Sequence, residues 1–454
     1  MSSDRLAPLD LAFWHLESAG HPMHLGALAF FSPGEGAPAT PATGPELLEL
    51  IAGRAAAIPR LRARVRDVLL PVGGAAWAPD PDFDVRHHVR HVPLAGTDFT
   101  ARAVALAGHL MERPLERSRP LWETHLLTQG GDGPADGSFA VLAKFHHALA
   151  DGMRATALGA GLLDGTAPAG PRPRTDPPAP PDPLTAPLRL AGRARDHAAA
   201  LGRAALVGTA VLRAGRLGPP AHRALTAAPS GTRRIATAVL DLEDVRRVRK
   251  AAGGTANDIL LTVVAGALRR WARERGEPLP AAGDPRALVP VSRHRPGDPP
   301  GSGNSLSGYL LELPTGEDDP GARLAAVRRT MDRNRAAGPL RGAGAVALLA
   351  DRIPPLAHRY GTPFAGAAAR LLFDVLVTTV PLPRGTLSLG GHPLTALHPL
   401  APLARGQSLA VAMTPYDGQV YAGLVADGEA VPDLDRLAWS LGEELVELLD
   451  RTLA

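Results

Sequence analysis

Short apolar runs alternate with stretches of helical spacing in the first part of the chain. The predicted strands span residues 24–31 and 139–145, and the predicted helices span residues 45–58, 104–111 and 153–160. We expect the first helix to end at Pro59, because proline breaks the hydrogen bonding of a helix interior. The apolar run at 139–145 is typical of a buried strand.

A second set of elements begins near Thr232. Residues 235–242 alternate as a strand does, and residues 243–252 predict a helix that ends at Gly253 and Gly254. Thr255 is the expected N-cap of a long helix that runs through Trp271. Further strands are predicted at 289–291, 306–313, 376–380, 408–414 and 419–425, and an amphipathic helix at 433–450. Strands and helices alternate in both parts, which predicts an α/β fold with mixed sheets.

The segment between the two parts differs in composition. Residues 168–187 are dense in proline and predict a linker, and residues 188–217 are rich in Ala, Leu and Arg. This arginine-rich stretch is either a basic amphipathic helix on an anionic membrane surface or a crossover helix with solvated arginines, and we favour the second. We therefore divide the chain into 1–165, a linker at 166–231, and 232–454.

Composition narrows the class of protein. The chain of 454 residues has no cysteine, which excludes disulfides, thiolate nucleophiles and cysteine-ligated metals. Its net charge is +4, and arginine carries almost all of the positive charge because Lys144 and Lys250 are the only lysines. We expect no nucleic-acid partner, since aromatic residues are scarce and no nucleic-acid-binding motif occurs. We also expect no signal peptide and no membrane span, because no leader pattern and no apolar run of sufficient length occurs.

Candidate chemistry is concentrated where the predicted strand at 139–145 ends. His146 and His147 follow the strand, and Asp151 and Gly152 come after three intervening residues. Histidine can take and return a proton near neutral pH, so a ring at the rim of a sheet suits a general base. Neighbouring side chains on a strand point to opposite faces, so only one ring faces a reaction centre and the other is structural. We expect Asp151 either to order the loop or to fix the ring through an arginine, and not to accept the proton itself. We expect Gly152 to allow a tight turn.

Other chemistries are disfavoured by motifs that the sequence lacks. No G-x-S-x-G elbow, dinucleotide fingerprint, phosphate loop or H-E-x-x-H helix occurs. We expect no metal site, because the two rings diverge and no third and fourth ligands are evident. A second histidine group, His87, His88 and His91, alternates with valines and predicts a half-exposed strand with a structural or surface role.

A lone base is sufficient for transfer from a thioester. The acyl group of a thioester is already activated, so a histidine can deprotonate a hydroxyl or amine that attacks the carbonyl directly. The resulting imidazolium can then protonate the leaving thiol.

The sequence resembles the bacterial wax ester synthase/diacylglycerol acyltransferase family, within the CoA-dependent acyltransferase superfamily. The superfamily signature HHxxxDG is matched by His146 to Gly152. Narrower matches are the N-terminal block at 8–24 and the blocks at 83–90, 119–123, 255–258, 402–407 and 416–427. One stretch departs from the family's usual sequence. Where the family has Ser-Asn-Val-Pro-Gly-Pro, residues 378–383 of this chain are Thr-Thr-Val-Pro-Leu-Pro. In relatives this segment lies near the substrate channel.

The resemblance implies two chloramphenicol-acetyltransferase-like halves with a tunnel between them. It implies His147 as the base, supported by His146, Asp151 and Gly152. For the second half we expect substrate-binding roles for Asn257, Asp258, Gln407 and Thr378. The expected partners are acyl-CoA as co-substrate, diacylglycerol or a long-chain alcohol as acceptor, and a membrane or lipid-droplet surface, with a cytoplasmic, peripheral location and no cofactor.

Two alternatives stay open at this point. One is a condensation-type acyltransferase that uses carrier-protein thioesters. The other is a catalytically silent lipid-binding protein on the same fold, which the intact His147 and Asp151 disfavour.

Overall fold

Two six-stranded sheets carry the architecture, and a small three-stranded sheet lies beside the first of them. The computed structural model describes residues 4–33, 44–68, 73–130, 137–165, 223–277, 283–292, 306–337, 372–383 and 385–453. The proline-dense segment at 168–187 and the arginine-rich segment at 188–217 lie outside the described residues, as does most of the predicted linker.

The strands and helices have the following bounds. The strands are β1 (Asp4–Arg5), β2 (His24–Phe31), β3 (Ala63–Asp67), β4 (Ala75–Pro79), β5 (Val89–Ala95), β6 (Trp122–Gly130), β7 (Phe139–His146), β8 (Arg233–Asp241), β9 (Arg286–Ser292), β10 (Leu306–Glu312), β11 (Val375–Thr379), β12 (Ser388–Leu389), β13 (His392–Leu400), β14 (Leu409–Tyr416) and β15 (Gln419–Asp427). The helices are α1 (Pro8–Leu16), α2 (Gly44–Ala57), α3 (Phe99–Glu112), α4 (Gly152–Ala160), α5 (Leu242–Ala252), α6 (Ala256–Glu274), α7 (Pro320–Ala337) and α8 (Leu434–Leu453).

Both large sheets are mixed, as the sequence predicts. The first has the order β12-β13-β2-β7-β6-β5, in which only β5 and β6 run parallel. The second has the order β10-β9-β11-β14-β15-β8, in which β11 runs parallel to both of its neighbours. The α/β class with two sheets is therefore confirmed.

The second part of the chain contributes a hairpin to the first sheet. Strands β12 and β13 come from the second part of the chain, yet β13 pairs with β2 in the first sheet, with Leu397 opposite Ala29. The predicted division into 1–165 and 232–454 follows the sequence and does not coincide with the sheets at this hairpin. The β13 backbone also lies against β15, where a Cβ on Gly423 would be 2.1 Å from the Pro399 carbonyl oxygen.

A shared apolar layer fills the space between the sheets. It combines side chains of β2, β6 and β7 with side chains of α3 and of the second sheet, including Leu28, Leu142, Ala107, Ile235 and Val425. All five are at most 5% exposed. Burial of this layer removes apolar surface of both parts from water, so the parts are stabilised together.

No single helix among the described residues is long and apolar enough to cross a membrane. Helices α5 and α6 pass the length and composition test only as a pair, and the pair bends by 105° at its break. Helix α6 packs its apolar side chains in the core of the second sheet.

Candidate active site

The HHxxxDG motif spans the end of β7, a short turn and the start of α4. His146 is the last residue of β7, and its backbone N–H donates to the Leu121 carbonyl at 3.0 Å. Asp151 is the N-cap of α4, where its Oδ1 accepts from the Arg154 N–H at 2.9 Å. An aspartate at this position satisfies an amide that the helix leaves unpaired. The expectation that Asp151 orders the loop agrees with this geometry.

His146 is the more deeply buried member of the histidine pair. The side chain has no solvent exposure, and its Nδ1 accepts from the Ala148 N–H at 2.9 Å. Its Nε2 lies 3.5 Å from Oε2 of Glu17, which follows α1. Burial raises the pKa of Glu17, but the hydrogen bond and charge of His146 and the Met23 N–H outweigh burial and hold that pKa below its usual value. The pair fixes the end of β7 against α1.

His147 lies in different surroundings from its neighbour. Its backbone N–H donates to the Met23 carbonyl at 2.7 Å, and its ring stacks on Phe13 of α1 with centroids 3.8 Å apart. Its Nδ1 atom is sealed from solvent, while the residue as a whole keeps part of its surface exposed. A buried Nδ1 with an exposed remainder suits proton transfer at the other side of the ring.

The pKa of His147 favours the neutral ring. This pKa is lowered from 6.5 to about 4, mainly by burial, and the nearby charge of His146 contributes to the lowering. A hydrogen bond to the backbone of His147 itself and the charge of Asp151 oppose the shift without cancelling it. The imidazole is therefore unprotonated at neutral pH and able to accept a proton.

Gly152 is the point where the motif meets the second part of the chain. Its backbone is helical, so the expected tight turn is not what this position needs. A Cβ here would lie 3.2 Å from Cγ2 of Val380, which follows β11. The absence of a side chain thus allows a close approach between the motif helix and the end of β11.

Asn257 and Thr378 lie near this meeting point. The Thr379 hydroxyl, next to Val380, donates to Oδ1 of Asn257 at 3.1 Å. Thr378 is opposite Ala412 in the β11–β14 pair, and its side chain points away from that of Thr379. The structure therefore brings Asn257 and the end of β11 to the histidine motif, and their substrate contacts stay predictions.

Asp258 and Gln407 have contacts that belong to the fold. Asp258 forms a capping box with Thr255 at the start of α6 and pairs with Arg335 of α7 at 3.1 Å. The Gln407 side chain donates to the carbonyl of Phe373, before β11 begins. Phe373 and Val380 lie at opposite ends of this segment, roughly 20 Å apart for extended chain. The structure does not bring Gln407 to the motif, and substrate binding by either residue stays a prediction.

The second histidine group differs from the expected strand. A 3-10 turn occupies Val85–His87, and β5 begins only at Val89. His88 is buried, stacks on Trp122 at 4.7 Å between centroids, and hydrogen-bonds to the Trp122 carbonyl at 2.8 Å. The aspartate at the start of the turn favours this turn over a strand, since Asp84 accepts from the Arg86 N–H.

Sequence reasoning did not assign roles to the residues in and directly after α1 that contact the histidines. Phe13 and Glu17 lie in the N-terminal block that carries the family resemblance, but pattern alone gives no contact across so many residues. Val380 was missed as a contact of Gly152 for the same reason.

Comparison with known proteins agrees with this geometry. Residues 6–260 match the wax ester synthase/diacylglycerol acyltransferase catalytic domain, and residues 302–449 match the C-terminal domain of the same family. The fold, the histidine motif and these matches define the protein as an acyltransferase. The chain belongs to the wax ester synthase/diacylglycerol acyltransferase family.

Two curated relatives come from Mycobacterium tuberculosis. The probable diacylglycerol O-acyltransferase tgs2 is 32% identical over 467 positions, which cover 98% of this chain and 98% of the relative. The probable diacylglycerol O-acyltransferase tgs1 is 30% identical over 469 positions, which cover 98% of this chain and 96% of the relative.

Solved structures show the same fold. The wax ester synthase/diacylglycerol acyltransferase from Marinobacter aquaeolei VT8 superposes with a TM-score of 0.71 at 24% identity, covering 99% of this chain and all of the other. A mutant starter condensation domain of the rhizomide synthetase RzmA, in complex with C8-CoA, superposes with a TM-score of 0.58 at 16% identity, covering 100% of this chain and 95% of that domain.

Proposed function

We propose that this acyltransferase moves a long-chain acyl group from acyl-CoA to diacylglycerol, and also to long-chain alcohols, with His147 as the general base. The products are triacylglycerol or a wax ester, together with free CoA. The reaction as written needs no cofactor besides the co-substrate.

The environment of His147 is the observation that carries this proposal. Its ring is held by Phe13, has a pKa of about 4, and follows the strand that leads to the Gly152–Val380 contact. A neutral imidazole near the contact of two chain parts suits a reaction in which donor and acceptor arrive separately. The names of the M. tuberculosis relatives support diacylglycerol as acceptor, and the CoA complex of the RzmA domain supports a CoA thioester as donor.

The proposed step balances with one base. His147 takes the proton of the acceptor hydroxyl as that oxygen attacks the thioester carbonyl. The tetrahedral intermediate then collapses with cleavage of the carbon–sulfur bond. The imidazolium returns its proton to the departing thiolate, so the ring is neutral again at the end of the cycle.

An acceptor panel tests the substrate assignment. The purified chain is incubated with labelled palmitoyl-CoA and, separately, with diacylglycerol, hexadecanol or an aminoacyl carrier protein, and the labelled product is identified. We expect labelled triacylglycerol and labelled wax ester. Transfer to the carrier-bound amine alone would instead identify a condensation-type enzyme, and tight binding of diacylglycerol without any transfer would identify a lipid-binding protein.

We further propose that the enzyme works in the cytoplasm at a membrane or lipid-droplet surface, because its acceptor and its product are both lipids. Flotation with liposomes that contain diacylglycerol tests this location. We expect the full chain to float with the liposomes, and a chain that stays in the dense fraction while esterifying diacylglycerol would contradict it.

A further inference from the structure

A cavity of about 400 Å³ lies where β5 and β6 begin, and the acyl-transfer proposal does not use it. Arginine side chains of Arg86, Arg90 and Arg119 line it, together with Leu115 and Trp122. We call this cavity the basic cleft. It has an apolar floor and a cationic rim, which is the composition of a site that orients a polar ligand on an apolar base.

The charges of the basic cleft do not cancel. Its two carboxylates have cationic partners of their own: Glu116 pairs with Arg119 at 2.8 Å, and Glu123 pairs with Lys144 at 3.6 Å. Glu123 also lies 3.4 Å from the ring of His125, so its carboxylate has two partners on neighbouring strands.

Two guanidinium groups remain at the rim. Among the residues that the structure describes, no carboxylate lies within ion-pair distance of Arg86 or Arg90. Both side chains are exposed at the mouth of the cleft. Arg90 lies close enough to Glu123 for its charge to lower the Glu123 pKa, but neither arginine is held in an ion pair with a residue that the structure describes. Two arginines without a bound carboxylate beside an apolar floor form a site that attracts an anion of more than one charge.

The backbone that carries these arginines is held in place. Asp84 accepts from the Arg86 N–H at 3.0 Å, which fixes the turn, and β5 then begins at Val89, directly before Arg90. His88 lies between the two arginines in sequence and is stacked between Phe83 and Trp122. The arginine backbones are therefore positioned before a ligand arrives, which reduces the entropy that binding costs.

The basic cleft lies at the same end of the first sheet as the histidine motif. Trp122 of its floor is paired with Phe145 of β7, and the Leu121 carbonyl next to it accepts from the His146 N–H. A ligand in the cleft is thus one strand away from β7, which ends directly before the proposed base His147.

We propose that the basic cleft binds a phosphate monoester. Guanidinium groups bind phosphate oxygens through paired N–H donors, and a monoester offers three such oxygens and close to two charges. Two substrates of lipid esterification chemistry carry this group: the 3′-phosphate of CoA, and the headgroup of phosphatidic acid. The first source rests on the proposed acyl-CoA function, and the second does not.

The test measures binding, not turnover, to the full chain. The probes are CoA, dephospho-CoA, which lacks only the 3′-phosphate, and phosphatidylcholine vesicles with or without phosphatidic acid. The cleft variant carries Arg86→Gln and Arg90→Gln. The matched control carries Arg249→Gln and Arg329→Gln, two exposed arginines more than a hundred residues from the cleft in sequence that also lack an ion-pair partner among the described residues.

The cleft variant is expected to lose the preference for the phosphate monoester. If CoA is the source, wild type binds CoA about tenfold or more tightly than dephospho-CoA, since charge-assisted contacts are strong. The cleft variant then binds CoA and dephospho-CoA with equal affinity, and the control variant keeps the wild-type difference in affinity. If phosphatidic acid is the source, the variant loses the added affinity for vesicles that contain it, and the control retains that affinity.

Two results overturn the proposal. One is that neither probe pair distinguishes the cleft variant from wild type. The other is that the control loses as much affinity as the cleft variant. Because the readout is binding, a chain that holds CoA through the cleft but forms no ester would reject the proposed function and leave the cleft assignment standing. If the cleft variant instead forms ester at the wild-type rate and keeps both binding preferences, the cleft assignment is rejected and the proposed function stands.

Discussion

His146 and His147 are sequence neighbours with different surroundings. His146 is sealed against Glu17 and the turn backbone, while His147 stacks on Phe13 and keeps part of its surface exposed. The alternation of side chains along a strand predicts this division from sequence, but it leaves open which ring has which task. The contacts with Phe13 and Glu17 favour His147 as the base, and these are contacts across more than a hundred residues that no local pattern encodes.

The pH dependence of the reaction follows from the lowered pKa of His147. We expect kcat/KM for acyl-CoA to be constant from neutral pH into mildly acidic solution and to fall only near the His147 pKa of about 4. A fall centred on the ordinary histidine pKa of 6.5 would contradict the buried setting of the ring. The measurement is initial-rate kinetics across this range at saturating acceptor.

Acid unfolding is the control for that profile. Because the folded pKa lies below the ordinary value, the unfolded chain binds the proton first, and folded-state stability is lost as pH falls from 6.5 towards 4. Samples returned to neutral pH after each assay must therefore regain full activity, so that protonation and unfolding are distinguished.

Helix starts are the elements that the sequence specifies most completely. The predicted N-cap at Thr255 is present, and its hydroxyl accepts from the Asp258 N–H while the Asp258 carboxylate accepts from the Thr255 N–H.

Strand β13 was not predicted, because it contains Pro393 and Pro399 and has a register shift after Leu394. A proline-containing strand does not show the alternation of a paired strand, so its place in the first sheet is visible only in three dimensions.

The cap of α6 has a measurable contribution to stability. Thr255→Ala removes the acceptor of the Asp258 N–H, and we expect it to lower the free energy of unfolding by about 1 kcal/mol. Thr255→Ser keeps the hydroxyl and should remain close to wild type. Urea unfolding followed by circular dichroism compares the two variants. Equal losses in both would show that the hydroxyl cap is not the source of the effect.

The molecule as a whole depends on the crossing of β13 over the second sheet. The Tyr421 hydroxyl donates to the Thr395 carbonyl at 2.7 Å, and the ring of His398 hydrogen-bonds to the Ala422 carbonyl at 2.9 Å. These contacts tie the hairpin from the second part of the chain to both sheets. The sequence predicts several elements of each part, but the pairing of β13 with the first sheet could not be predicted because it depends on backbone proximity between distant strands.

Close approach at the crossing is tested at Gly423. A Cβ there would lie 2.1 Å from the Pro399 carbonyl oxygen, so Gly423→Ala forces a backbone shift. We expect a loss of roughly 1–3 kcal/mol in unfolding free energy, measured by urea titration. The matched control is Gly442→Ala in the interior of α8, where a Cβ meets nothing within 4 Å. That change should be neutral or stabilising by up to about 1 kcal/mol. Equal stability of the two variants would contradict the crossing.

The release of free thiol from palmitoyl-CoA in the presence of diacylglycerol tests the central claim most directly. The comparison is wild type against His147→Ala, with His147→Asn as a variant of closer size, and with circular dichroism and CoA binding as checks that both are folded and loaded. A general base at this position predicts a fall in thiol release of about a hundredfold or more, with CoA affinity unchanged. Thiol release at the wild-type rate from folded His147→Ala would contradict it.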